Sequence, residues 1–239
     1  MYKVKDEYEL KNIIKNTNDK DFKALENLDV SNIDFMHEIF CLCSFHKLDL
    51  SNWDVSKVEI MNYMFRNCYY LRILNISNWN VSNVKNMEGL FKGCNSLKQL
   101  NISNWDVSKV KNMCYMFCYC AKLKKLNLSK WKISNVKNME YMFYNCKHLK
   151  KINLSNWDVS DVKDMNNMFE NCENLRTLNL SNWHNMSNIR DINFMFYCCY
   201  KLHTLNILNW DITNIGHSIN TFNDCHRFNI IDGLLFTLA

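Results

Sequence analysis

Residues 79–104 read WNVSNVKNMEGLFKGCNSLKQLNISN, and this stretch recurs along the chain with small changes. Its Phe-x-x-Cys core appears eight times, at Phe40/Cys43, Phe65/Cys68, Phe91/Cys94, Phe117/Cys120, Phe143/Cys146, Phe169/Cys172, Phe196/Cys199 and Phe222/Cys225. Successive phenylalanines lie 25, 26, 26, 26, 26, 27 and 26 residues apart. The seven tryptophans, from Trp53 to Trp210, keep the same period. A fixed period in this range marks a stacked-repeat solenoid, in which each unit covers the apolar face of its neighbour.

Within the unit, Met87, Leu90, Phe91 and Cys94 fall at i, i+3, i+4 and i+7, one apolar stripe on about two turns of helix. Asn86 precedes the stripe where a helix N-cap would sit, as do Asn112, Asn138, Asp164 and Asp191 in later units. Leu100-Asn101-Ile102-Ser103 alternates apolar and polar residues with the period of a strand. The same alternation returns at Leu74/Ile76, Leu126/Leu128, Ile152/Leu154, Leu178/Leu180 and Leu205/Ile207. Val81 and Val84 line a return leg. The expected fold is therefore an α/β repeat. It is a leucine-rich-repeat-like solenoid of about eight 26-residue units, with a parallel β-sheet on one face and short helices on the other.

The ends deviate from the pattern, as capping units do. Residues 1–27 read as an N-terminal cap with an amphipathic helix within Val4 to Lys15, residues 28–228 as the solenoid, and residues 229–239 as a C-terminal cap. In the last unit Ser218 and Thr221 replace the two methionines.

Composition narrows the function. The chain has 239 residues, no proline, four glycines and twelve cysteines, with a formal net charge of +5. That charge alone supports no nucleic-acid role. No run approaches the ~18 apolar residues of a membrane span. The first residues lack a signal-peptide-like apolar stretch and a lipid-attachment motif, so the expected location is cytoplasmic, with reduced thiols. Asn-x-Ser sequons at Asn75, Asn101, Asn127, Asn153 and Asn179 fall inside the expected strands, where glycans on adjacent units would collide.

The pattern Leu-x-x-Leu-Asn-Ile-Ser-Asn-Trp-Asp-Val-Ser-x-Val-x-x-Met-x-x-Met-Phe-x-x-Cys resembles the BspA-like leucine-rich-repeat family, in particular the branch found in mycoplasma surface lipoproteins. Residues 105–120 match every fixed position of that branch, and the resemblance covers about residues 28 to 228. It implies an interaction or adhesion scaffold without catalytic residues. The leading expectation is a non-enzymatic, intracellular protein-interaction scaffold, and the alternative is a surface adhesin or structural repeat protein.

The chemically tempting residues read mostly as scaffold. Buried free cysteine behaves as a small hydrophobe, and in-register Cβ vectors run parallel rather than converging to a disulfide. Four cysteines stand out of register, Cys41, Cys114, Cys118 and Cys198, and are the expected accessible thiols. No catalytic, cofactor or metal constellation is visible. An asparagine column at Asn75, Asn101, Asn127, Asn153 and Asn179 faces out from the sheet, either bonding along the stack or contacting a partner. A basic column at Arg72, Lys98, Lys124, Lys150 and Arg176 continues to His203. A second basic column holds Lys85, Lys111, Lys137, Lys163 and Arg190. Like charges one unit apart disfavour stacking, so the first column is the candidate ridge for an acidic protein partner.

Overall fold

In the computed structural model residues 1–183, 185–207, 210 and 214–225 are described, together with the backbone pairing of 229–230. A short strand, β1 (Tyr2–Lys3), opens the chain and pairs in parallel with β2 (Leu28–Asp29). Between them runs α1 (Glu7–Asn16), which the amphipathic pattern anticipates. Its N-cap Asp6 accepts the Glu9 amide, and Leu10 and Ile14 are buried beneath it. A 3-10 turn (Phe22–Asn27) then leads into the repeats.

Three ladders hold the repeats together. The first is the expected parallel sheet. Here β3 (Lys47–Asp49) pairs with β4 (Ile73–Asn75), β5 (Thr177–Asn179) with β6 (Thr204–Asn206), and β6 in turn with β7 (Asn229–Ile230). Single-residue bridges Gln99↔Lys125↔Lys151↔Thr177 span the middle units. The rest of the expected C-terminal cap lies outside the described residues. The second ladder is a run of single bridges, Phe35↔Ile60↔Asn86↔Asn112↔Asn138↔Asp164↔Asp191↔His217.

The third ladder stands where short helices are expected, and it is a correction to that expectation. Among the described residues α1 is the one α-helix, and the repeats form chains of turns instead. In the unit 79–104 the amides of Leu90, Lys92 and Cys94 close turns onto Met87, Gly89 and Phe91 carbonyls. The alternate amides of Met87, Gly89, Phe91 and Gly93 cross to carbonyls of Asn112, Cys114, Met116 and Cys118 in the next unit. A helix would send its amides beyond the first turn to carbonyls of its own unit and none to the next. The turn chain spends half of them on its neighbour, and it still points Met87, Leu90, Phe91 and Cys94 inward.

Each turn needs a left-handed residue two positions after the methionine or the phenylalanine. Gly89 (φ +57) and Gly93 (φ +77) supply it in one unit, Asn167 (φ +57) and Asn171 (φ +59) in another. At Gly89 a Cβ would also stand 2.3 Å from the Tyr63 ring. The caps expected at Asn86, Asn112 and Asn138 accept amides two residues on, from Glu88, Cys114 and Glu140, so they start turns rather than helices. Because nearly every amide of the turn face is bonded, proline has no place there, in keeping with its absence from the chain.

The core is a set of columns. Phenylalanines from Phe40 to Phe222 stack with ring centroids 5.1–5.7 Å apart. Trp79, Trp105 and Trp131 stack at 6.3 and 6.5 Å with planes within 4°. Each indole N–H donates to the preceding unit, as from Trp79 to Leu50 O at 2.7 Å and from Trp131 to Ile102 O at 3.0 Å. These features make the chain a leucine-rich-repeat-like solenoid.

Candidate functional site

The strand side positions the candidate ridge. Arg72, Lys98, Lys124, Lys150 and Arg176 follow the buried Leu71, Leu97, Leu123, Leu149 and Leu175, so each is thrown outward at the same point of its unit. All five are exposed. Backbone bonds tie the column unit to unit, including Lys124 N–H to Lys98 O at 3.1 Å and Arg176 N–H to Lys150 O at 3.2 Å. Among the described residues none of the five has a carboxylate in ion-pair reach. The second basic column differs at its start, where Lys85 is paired with Glu59 at 2.7 Å.

A column beside the ridge goes unnoticed in the sequence reading: Lys47, Ile73, Gln99, Lys125, Lys151, Thr177 and Thr204. Lys125 and Lys151 are direct bridge partners, so the central units carry Lys-Lys doublets at 124–125 and 150–151. The doublets are plain in the sequence, but the register that aligns them is a property of the stack. Two adjoining grooves open on this face. One, of about 490 Å³, is lined by Arg72, Ile73, Gln99, Asn101, Lys125 and Lys151. The other, of about 660 Å³, is lined by Asn127, Lys151, Asn153, Thr177, Asn179 and Asn206. They share Leu126, Asn127 and Lys151. The structure thus brings Lys125 and Lys151 together with the asparagine column and sets the candidate ridge along its edge.

The asparagine column bonds mostly within its own units. The Oδ1 atoms of Asn101, Asn127 and Asn153 accept the hydroxyls of Ser103, Ser129 and Ser155 at 3.2, 2.8 and 2.8 Å. Asn75 also reaches along the stack, donating to Asp49 at 2.9 Å. Asn179 accepts the Ser181 amide. Asn101, Asn127, Asn153 and Asn179 remain exposed.

The thiols depart from expectation in two ways. Three of the four off-register cysteines, Cys114, Cys118 and Cys198, are buried, at 5%, 2% and 6% exposure. The turn chain folds their positions against the next unit, where an outward helix face would have left them in water. The partly exposed thiols are Cys41, Cys43 and Cys225. In addition, the in-register thiols donate to the phenylalanine carbonyl one unit back, as from Cys94 to Phe65 and from Cys120 to Phe91, both at 3.2 Å. Burial pushes these thiols above their usual range. Cys43 and Cys68 sulfurs lie 3.0 Å apart. Among the described residues no grouping could hold a metal ion. No helix there is long and apolar enough to cross a membrane.

Comparison with known proteins places the repeats in a family. A model described as "Mycoplasma protein of unknown function, DUF285" matches residues 8–125, 65–183 and 120–232. The chain belongs to that family. No curated protein matches it. Among solved structures it is similar to TLR13 in a complex with ssRNA13, at 15% identity, TM-score 0.33, over 85% of this chain and 38% of that one. It is also similar to internalin C2 of Listeria monocytogenes, at 14% identity, TM-score 0.32, over 88% and 90%. A leucine-rich repeat protein of Bacteroides ovatus is similar at 17% identity, TM-score 0.21, over 80% and 68%. The chain thus spans well under half the length of the TLR13 chain.

Proposed function

We propose that this chain is a non-enzymatic interaction scaffold whose basic strand face docks an acidic protein partner. The observation that carries the reading is the row Arg72, Lys98, Lys124, Lys150 and Arg176, exposed and without carboxylate partners among the described residues. Stacked units hold such charges about 5 Å apart, within a Debye length of about 8 Å at physiological salt. The row therefore acts as one positive ridge and speeds encounter with an acidic surface. Lys125 and Lys151 carry that charge into the grooves, where exposed asparagines offer amide donors and acceptors. The resemblance to BspA-like repeats supports a binding role over a catalytic one.

The thiol pattern supports a reducing, cytosol-like compartment, because the in-register sulfurs from Cys68 onward must keep their protons to bond the carbonyls beneath them. The test is the triple change Lys98→Glu, Lys124→Glu and Lys150→Glu. Melting temperature should hold, while binding of an acidic partner protein captured from cell lysate, and the salt dependence of that binding, should be lost. Unchanged capture would remove the ridge from the interface.

A further inference from the structure

The turn face carries an aromatic cluster that neither the strand-face reading nor the packing of the core uses. Tyr115 and Tyr141 stack at 4.9 Å, Tyr141 meets Tyr144 at 5.5 Å, and Tyr144 meets Tyr119 at 5.2 Å. The four rings span two units and form one continuous surface. Tyr119 is 42% exposed, and the other three are half-buried.

Backbone economy does not explain them. Tyr115 (φ +58), Tyr119 (φ +60) and Tyr141 (φ +55) occupy the left-handed turn positions, which cost a bulky L-residue about 1–2 kcal/mol. Neighbouring units fill the same positions with glycine or asparagine, at Gly89, Gly93, Asn145 and Asn167. Tyr63 and Phe194 carry the same cost in other units, so what distinguishes Tyr115, Tyr119 and Tyr141 is that their rings meet with Tyr144 in one cluster.

The surroundings name the ligand chemistry. The Lys92 ammonium already sits over the Tyr115 ring at 4.1 Å, so a ring of this cluster does take a cation face-on. Glu140 directly precedes Tyr141, the Glu170 carbonyl accepts the amide of Asn145 beside Tyr144 at 2.8 Å, and after burial both carboxylates act electrostatically on Tyr141. Both carboxyls are half-buried and held above their usual range by that burial, Glu140 also by Asp164. A positive charge brought against them would relieve that cost. We propose that Tyr119, Tyr141 and Tyr144, with Glu140 and Glu170, form a second docking surface, for a cationic arginine- or lysine-bearing segment of another protein.

The surface is separate from the strand-side ridge, and its test separates the two. A fluorescein-labelled oligo-arginine peptide is titrated into the full chain by anisotropy, beside a neutral Gly-Ser peptide. The chain's net charge of +5 works against unspecific binding of such a probe. Oligo-arginine should bind and the neutral peptide should not. The double change Tyr119→Asn and Tyr141→Asn installs the residues that Asn145 and Asn167 already supply at equivalent turns, so the fold and melting temperature should hold. Losing both rings should weaken oligo-arginine by about tenfold or more. Glu170→Gln should weaken it too, and the Lys98/Lys124/Lys150→Glu triple should not. No binding by the wild type, or full binding by the asparagine pair, overturns the proposal. So does sedimentation showing that the chain self-associates through this face and that the lysine triple abolishes it, since the occupant would then be the basic ridge of a second copy.

Discussion

From Cys68 to Cys225 the in-register cysteines fill core volume and also donate one hydrogen bond to the preceding unit, so their chemistry is set by a backbone carbonyl. A thiol that must keep its proton is a poor nucleophile. In the folded protein a thiol reagent should therefore label Cys41 first and Cys43 and Cys225 more slowly, because those two donate hydrogen bonds to Cys68 and to the Phe196 carbonyl, with the remaining nine reacting only after denaturation. Mass-spectrometric mapping of labelled peptides checks this, and early labelling at Cys114 or Cys118 would contradict the burial. The carboxyls give a second residue-scale test. Burial and then Asp164 raise the Glu140 pKa in the folded state. A group raised in this way holds its proton more tightly when folded, so it favours folding below its unfolded pKa. That contribution is lost as pH rises through the folded value. Glu140→Gln, which mimics the protonated form, should raise the melting temperature at neutral pH and leave it unchanged near pH 4. Equal effects at both values would show that Glu140 acts through packing alone.

At the scale of the element, the strand was legible and the turn face was not. Alternation at Leu100 and Ile102 admits one reading, because a period of two belongs to strands. The spacing of Met87, Leu90, Phe91 and Cys94 admits two, because a helix and a chain of turns can put the same four residues on one side. The discriminating signal lay between the apolar residues. Glycine and asparagine recur at two fixed turn positions, Gly89 with Asn167 and Gly93 with Asn67, Asn145 and Asn171. Aromatic residues at some of those positions, such as Tyr115 and Phe194, masked it. The misreading leaves the core intact, since the inward columns are the same in either case. Phe117→Ala should therefore cost about 3–5 kcal/mol as a cavity in the phenylalanine stack, while Asn101→Ser, on the exposed strand face, should cost far less. Denaturant melts of the two variants compare them directly. Equal losses would mean that inside and outside are wrongly assigned.

Over the whole molecule, stability is a sum along the stack, because the ladders join each unit mainly to the one before and the one after. Amides of the unit 105–130 reach carbonyls of the unit 131–156, whose own amides reach the unit 157–182 in the same register, as from Met113 to Asn138 and from Met139 to Asp164. The candidate ridge was legible as a column in the sequence. Its alignment with Lys125 and Lys151 was not, because register exists only once the units stack. Deleting residues 131–156 should therefore splice one period out and leave a folded chain. Trp157 would meet Trp105, and Met113 would find Asp164 in place of Asn138. The denaturant m-value tracks the surface exposed on unfolding, so it should fall by about one ninth, the share of the chain removed. Cooperative unfolding should persist. The deletion also takes Lys150 and Lys151 from the strand face and Tyr141 and Tyr144 from the turn face. Binding of an acidic partner should weaken with a shallower salt dependence, and binding of oligo-arginine should be lost. A spliced chain that unfolds without cooperativity would show that the units are not interchangeable, and that the period in the sequence is not the unit of folding.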